Sequence, residues 1–394
     1  MGKQVITGTA KSQVVNRVII GNDMGGSLWA VAVHDCATGK DHYYGLRDRD
    51  GKRKEDRFYD LVREYLEQGF TADVFYEAGR YGFSPARILM SLGAIVHILP
   101  INKLKVIMCG KVIKTDKLDA KFLSSLDPDS GLPEVYIPTV EEESRRDAER
   151  ELVRLSVCIN RTNAQILALI ERTPLKYPRI HRTSGNWKKQ IAEWSKDPVW
   201  KEQPPFLLLR LNNLIAELEL FEKEADAWDH LIQQQEKKDE NNSGKPGNTD
   251  KTHETVRKLK QFKAIGPDIA RCLAWEVPDW SRFGNAKKFS AYFGMTPCPY
   301  SSGTINREQG ISKAGRGSLR KKAIELGWLW VRWQGESHLV KKWKSRLDQK
   351  GRVRRMAIVA MTRQLLVALW RYVVKGEVID GAIMNNPITE GLTR

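Results

Sequence analysis

Cysteine is scarce in this chain and never clustered. Five thiols, Cys36, Cys109, Cys158, Cys272 and Cys298, are spread over 394 residues without a CxxC pair. That spacing argues against a zinc ribbon and a disulfide framework, and leaves buried thiols in a reducing compartment as the ordinary reading. Long apolar runs are missing as well; none approaches the roughly 18–20 residues needed to cross a bilayer. The opening segment MGKQVITGTAKSQVVNR is polar and lacks the apolar core of a signal peptide, so the cytoplasm is the expected compartment. There is no P-loop to hold ATP. No histidine lies near the pair Ser301 and Ser302, which leaves a hydrolase triad without local support.

Positive charge is what the chain has in excess. Lys and Arg number 65 against 48 Asp and Glu, a net of +17. From Ser301 to Arg394 the count is 19 against 7, so +12 of that excess sits in the last quarter. Such a balance favours a polyanionic partner. A membrane-surface helix needs one clean apolar face, whereas here the charges alternate with Trp and Gly; nucleic acid is the expected partner and a membrane is not. With 41% hydrophobic and 29% charged residues the chain is globular, and its length allows two or three domains.

The N-terminal part alternates between two periods. RVIIGND, ending at Asp23, reads as a buried strand, and SLWAVAVHD and KDHYYGL as two more. EDRFYDLVREYLEQGF has a helical period, ADVFYEA is a short strand, PARILMSLG a helix, AIVHILPI a strand, and TDKLDAKFLSSL a helix capped by Thr115. This predicts a mixed α/β sheet covered on both faces. From about residue 140 to 240 two long amphipathic helices suggest an antiparallel hairpin or a coiled coil for self-association, and EKKDENNSGKPGNTDK has linker composition. LKQFKAIGPDIARCLAW then reads as helix, Ile-Gly-Pro turn, helix: either a plain hairpin or a helix-hairpin-helix-like element aiming backbone N–H groups at a phosphate. In RRMAIVAMTRQLLVALWRYVV, residues Ile358, Met361, Leu365, Leu366 and Leu369 form a core face and the arginines a solvent or phosphate face. Trp328, Trp330, Trp333 and Trp343 either stack on bases or fill core.

Two constellations could carry chemistry. Asp23 and Glu77 end strands, and Asp116 and Asp119, in KVIKTDKLDAKF, share a face at a helix start. Strand ends meet at one edge of an α/β sheet, where four carboxylates could hold Mg2+ or Mn2+ for phosphodiester cleavage. Taken singly, an Asp at a strand end is usually a turn former, and an Asp pair at a helix start usually complements the helix dipole. The second constellation is the Pro-rich segment CPYSSG, read as a loop, followed by Lys313, Arg316, Arg320, Lys321 and Lys322. A serine becomes a nucleophile when a base or metal activates it and cations gather the phosphate. The competing reading is a Ser-Gly turn ahead of a basic, nucleic-acid-contacting helix.

Together, IGND, FYEAGRYG, KTDKLDA, FKAIGPDIA and YFGMTPCPYSSGTINREQGISKAGRGSLR, in this order, resemble the DEDD transposases of the insertion sequence 110 family, relatives of the pilin-gene invertase also called bridge recombinases. The resemblance runs from about residue 17 to 375. It implies a RuvC-like domain of the RNase H type over 1–138, a helical coiled-coil region ending in a flexible linker over 139–251, and a mainly α C-terminal transposase domain over 252–394. It also implies metal-binding catalytic acids at Asp23, Glu77, Asp116 and Asp119, and a catalytic serine at Ser302 with Ser301 as the alternative. Donor and target DNA, a structured guide RNA and a dimer or tetramer follow as expected partners. On that basis the expected function is a site-specific recombinase forming a phosphoserine link to DNA. The alternatives are a metal-dependent junction nuclease using the acids alone, and a non-catalytic nucleic-acid scaffold.

Overall fold

The computed structural model describes residues 16–100, 115–172, 193, 196, 198–242, 251–302 and 305–385. The chain divides into two compact units, Met1–Thr139 and Val140–Arg394.

The first unit contains β1 (Arg17–Met24), β2 (Trp29–Asp35), β3 (Asp41–Leu46), α1 (Lys54–Glu67), β4 (Thr71–Glu77), α2 (Ser84–Leu92), β5 (Ile95–Leu99) and α3 (Asp116–Ser124). The strands form one sheet in the order β3-β2-β1-β4-β5; the β1–β2 and β2–β3 pairs are antiparallel, β1–β4 and β4–β5 parallel. Alternate residues of a strand face opposite sides. On β1, Val18 and Ile20 join Trp29, Phe58, Val62, Val74 and Leu89 in the core under α1 and α2. Ile19 joins Phe75, Leu99 and Leu123 on the other side, under α3. Both faces are therefore covered, which is why β1 and β4 read as continuous apolar runs.

Small residues set how close α3 comes. Ala30 and Ala32 of β2 meet Ala120 of α3. A Cβ on Gly21 would stand 2.2 Å from the Ala120 carbonyl oxygen and 2.5 Å from the Ser124 amide nitrogen, so only glycine lets the helix lie directly on β1. Thr115 caps α3 as expected, its side chain accepting from the Leu118 amide at 3.3 Å.

In the second unit α4 (Val140–Ile170) and α5 (Pro205–Asn242) form an antiparallel pair, with Ile166, Leu169 and Ile170 packed on Leu211, Leu214 and Leu218. There follow α6 (Lys251–Leu259), α7 (Pro267–Glu276), α8 (Ala286–Tyr292), a hairpin of β6 (Pro297–Ser302) and β7 (Ile305–Ile311), then α9 (Gly317–Trp333), α10 (His338–Leu347) and α11 (Gly351–Lys375). One core gathers Phe262, Leu273, Trp280, Phe293, Leu326 and Trp330 with the α11 face predicted from sequence: Ile358, Met361, Leu365, Leu366 and Leu369 are all buried.

Four expectations need correction. Residues 236–242, assigned to the linker by composition, continue α5, because Arg271 pairs with Glu236 at 3.6 Å and Arg145 with Asp239 at 3.0 Å. The Pro-rich serine stretch is a β-hairpin strand. Of the thiols, only Cys272 is buried among those described; Cys36 is exposed in the turn after β2, and Cys158 and Cys298 are half-exposed. Finally, α11 is long and apolar enough by composition to cross a bilayer, yet its apolar face fills the core.

Candidate active site and nucleic-acid surface

The four acids lie toward one end of one face of the sheet. Asp23 lies on β1 with the same parity as Ile19 and Gly21, and Glu77 lies on β4 with the parity of Phe75; both therefore belong to the face that α3 covers. Asn22 is in register with Tyr76 on these parallel strands, so Asp23 and Glu77 follow one another at their C-terminal ends. The N-terminal turn of α3 brings Asp116 and Asp119 to that end: a Cβ on Gly25, two residues past Asp23, would stand 3.8 Å from Asp116 Oδ2. Asp23 and Asp119 are half-buried, Glu77 and Asp116 exposed. The donor set is all carboxylate and suits a hard divalent ion. As placed, however, no three Asp, Glu, His or Cys side chains among the described residues stand close enough to enclose a metal ion. Asp23 and Glu77 each already have a polar or electrostatic partner.

The same end carries a cation that the sequence reading passed over. Arg80 follows Glu77 by three residues and donates to the Gly25 carbonyl oxygen at 3.4 Å and to Tyr81 Oη at 2.9 Å. Its guanidinium lies 3.6 Å from where a Cβ on Gly26 would be, so Arg80 and Asp116 flank the Gly25–Gly26 turn. Among the described residues no carboxylate is within ion-pair distance of Arg80. Tyr81 also donates to Gly25 O at 3.2 Å and accepts from Trp29 Nε1 at 3.2 Å. Burial pushes the Tyr81 phenol up, but the hydrogen bonds from Trp29 and Arg80 and the positive charges of Lys54 and Arg80 outweigh it, and the net shift is downward.

In the second unit, Ser301 pairs with Asn306 and Ser302 with Ile305, so Ser302 is the last paired residue of β6. Residues 303–304 lie outside the described residues. The prolines of β6 are accommodated by a register shift between Pro297 and Pro299. Beyond β7 the chain doubles back through Lys313, whose φ of 53° is left-handed and whose amide donates to Gly294 O at 3.0 Å.

The five nominated cations are not equivalent. Lys313 and Lys321 are exposed and without an ion pair among the described residues. Arg316 is committed: it reaches buried Glu276 at 3.4 Å and donates to Ser318 Oγ at 2.7 Å. Lys322 pairs with Glu325 at 3.1 Å, and Arg320 donates to the Ala314 carbonyl at 3.4 Å. The α6–α7 element is mostly core, since Ile269 to Glu276 are buried. Gly266 to Asp268 remain exposed at the α7 start, where the Asp268 carboxylate, 3.2 Å from Arg271, sets a negative charge beside the helix N-terminus. The tryptophans divide likewise. Trp330 is buried and donates to Ser337 Oγ, and Trp343 donates to Gln364, whereas Trp328 and Trp333 are exposed beside Arg354 and Arg332.

Residues 256–342 match the family described as Transposase IS116/IS110/IS902. The protein named "Putative transposase y4rJ" of Sinorhizobium fredii (strain NBRC 101917 / NGR234) is 32% identical over 346 residues, covering 84% of this chain and 85% of that protein. "Putative transposase y4qE" of the same organism is 21% identical over 321 residues, covering 75% and 73%. The "Pilin gene-inverting protein" of Moraxella bovis is 27% identical over 126 residues, covering 32% and 38%. The family match falls across the serine hairpin and its basic helix, and the y4rJ likeness extends over most of both chains: this chain belongs to the IS116/IS110/IS902 transposase family.

Proposed function

We propose that the chain is a site-specific DNA recombinase of an insertion sequence, guided by a structured RNA, that cuts and rejoins DNA through a phosphoserine link. The single observation that carries the chemistry is the placement of two strand-end acids and two helix-start acids toward the same end of one sheet face. The order β3-β2-β1-β4-β5, with only its first three strands antiparallel, supports reading the first unit as RuvC-like, of the RNase H type. Asp23, Glu77, Asp116 and Asp119 would hold Mg2+ or Mn2+, which when bound offsets negative charge on the reacting phosphate. Family membership and the names of the relatives support DNA as the substrate. Guidance by RNA rests on the family resemblance, and the net charge of +17 accommodates a second polyanion.

In this reading Ser302 Oγ attacks a phosphodiester phosphorus, losing its proton. The P–O bond to one deoxyribose oxygen breaks, and that oxygen leaves as a hydroxyl after gaining a proton. The serine phosphodiester retains the energy of the broken bond, so attack by a new hydroxyl rejoins strands without ATP. Lys313 and Lys321, without an ion pair among the described residues, steady the phosphate charge. Because two duplexes exchange strands, the protein acts as a dimer or tetramer.

The test is denaturing electrophoresis after incubation with labelled DNA, guide RNA and Mg2+. A DNA-linked protein band should form, survive in Ser301→Ala and disappear in Ser302→Ala. Cleavage with no adduct under any condition would leave the acids-only junction nuclease as the function. Loss of the band in Ser301→Ala but not in Ser302→Ala would move the nucleophile by one residue.

A further inference from the structure

Between the start of α8 and the outer side of α11 lies a groove of about 480 Å³ lined by Asn285, Lys287, Arg363, Gln364, Val367 and Arg371. No carboxylate lines it. Lys287 is exposed, and neither it nor Arg363 has an ion pair among the described residues; Arg363 Nε is buried without a hydrogen-bond partner. Among the described residues Arg371 reaches one carboxylate, the exposed Glu377, at 3.9 Å. A second cavity in this unit, about 210 Å³ beside α5 to α7, makes the contrast. There Arg145, Arg257 and Lys260 line the walls with Glu236, Asp239 and Glu240, and its charges balance internally. Across all of α11 six Lys and Arg stand without one Asp or Glu.

We infer that the α8–α11 groove is a second seat for a nucleic-acid backbone, separate from the Lys313–Lys322 cluster, and that Lys287, Arg363 and Arg371 bind its phosphates. Lys287, Arg363 and Arg371 stand together with one exposed counter-charge, Glu377, among the described residues, so they repel one another and a polyanion removes that cost. Arg363 and Arg371 share one side of α11 eight residues apart, which is about 12 Å along the axis. Over that distance one strand of a duplex presents about three phosphates. No aromatic ring lines the groove and its polar groups are mostly cationic, so it holds backbone without reading bases. The assignment rests on the nucleic-acid-binding function proposed above but uses residues that neither the acids nor the serine hairpin require.

The experiment measures binding of the full chain to a labelled random-sequence DNA duplex and, separately, to an RNA duplex of equal length, over a series of KCl concentrations. The variants are Lys287→Gln/Arg363→Gln/Arg371→Gln, the exposed pair Lys287→Gln/Arg371→Gln, and Lys313→Gln/Lys321→Gln as a reference. On DNA the log–log salt slope should shrink by about 0.9 for each phosphate that is no longer neutralised, so by nearly two for the exposed pair. The exposed pair leaves Arg363 in place, so it answers the question even if the triple variant fails to fold. A change confined to one polymer supports the groove and identifies which polymer it holds. A wild-type slope on both polymers in the exposed pair, while Lys313→Gln/Lys321→Gln flattens it, overturns the groove and leaves the function standing. Salt-independent binding by the wild type overturns both.

Discussion

Arg80 is held by a carbonyl, a phenol and an aromatic face, none of which neutralises its charge. Across the Gly25–Gly26 turn from Asp116, such a cation would, on the proposed function, be available to a phosphate oxygen. Arg80→Gln should slow strand cleavage about a hundredfold, with Arg80→Lys recovering part of the rate because charge returns without the planar fork. Asp119→Asn should abolish cleavage while leaving nucleic-acid affinity near wild type. Equal cleavage rates in Arg80→Gln and wild type would remove Arg80 from the site. Asp73 illustrates the opposite use of charge. It is buried and accepts from Arg17 Nε at 2.6 Å and from His97 Nε2 at 3.0 Å. Burial pushes its carboxyl up, but the bonds from Arg17 and His97 outweigh that, so the net shift is down. A carboxyl held below its ordinary range stabilises the fold fully above that range, and the benefit disappears as pH falls through the lowered value. Asp73→Ala should cost about 3 kcal/mol at pH 7. Urea midpoints for the variant should also fall less steeply than those of the wild type between pH 5 and pH 3, about the range where carboxyls titrate; parallel curves would refute the role.

Among the elements, α3 decides how near Asp116 and Asp119 come to the strand-end acids, and Gly21 decides where α3 lies. The two nearest atoms a Gly21 methyl would strike, the Ala120 oxygen and the Ser124 nitrogen, belong to backbone, which cannot swing aside as the end of a side chain could, and the third is Leu123 Cβ, fixed to that backbone. Gly21→Ala should therefore destabilise the first unit by about 2 kcal/mol and lift the helix start carrying Asp116 and Asp119 away from β1. Cleavage should fall towards the Asp119→Asn level, with nucleic-acid affinity unchanged. Wild-type cleavage in a Gly21→Ala protein of lowered melting temperature would show that α3 placement does not govern the chemistry. Much of this element was legible beforehand: the Thr115 cap and the Asp116 and Asp119 spacing are local signals, as are the two-residue and helical periods of the flanking segments. What local signals cannot carry is pairing between distant segments. The strand character of Ser301 and Ser302 was hidden because Pro297 and Pro299 lack the N–H that a regular ladder needs, and the register shift between them is a tertiary solution. The helical nature of 236–242 was hidden because its acids are held by Arg145 and Arg271, both distant in sequence. A lone arginine beyond a strand likewise meant nothing until Gly25 and Tyr81 were seen to hold it.

At the scale of the whole molecule the question is how many copies act together, and α5 bears on it. Its inner side buries Leu211, Leu214 and Leu218 against α4, while Leu209, Leu220 and Leu231 stand 59%, 53% and 57% exposed and Phe206 85%. The three leucines recur every eleven residues, about three helical turns, so they form one stripe on the outer side. Recombination joins strands from two duplexes and requires several active sites in one assembly, and an apolar stripe on a long helix offers a seam where a second copy could bury it. Light scattering on the free protein should therefore give a dimer or tetramer. Replacing Leu209, Leu220 and Leu231 together by Gln should shift the mass toward the monomer without lowering the melting temperature, because none of the three supports the α4–α5 core. That variant should still bind nucleic acid, through Lys313 and Lys321, yet fail to rejoin strands. An unchanged mass in the triple variant would place the interface on another surface. A wild-type protein that stays monomeric both free and with its DNA and RNA would leave strand exchange without the second active site it requires.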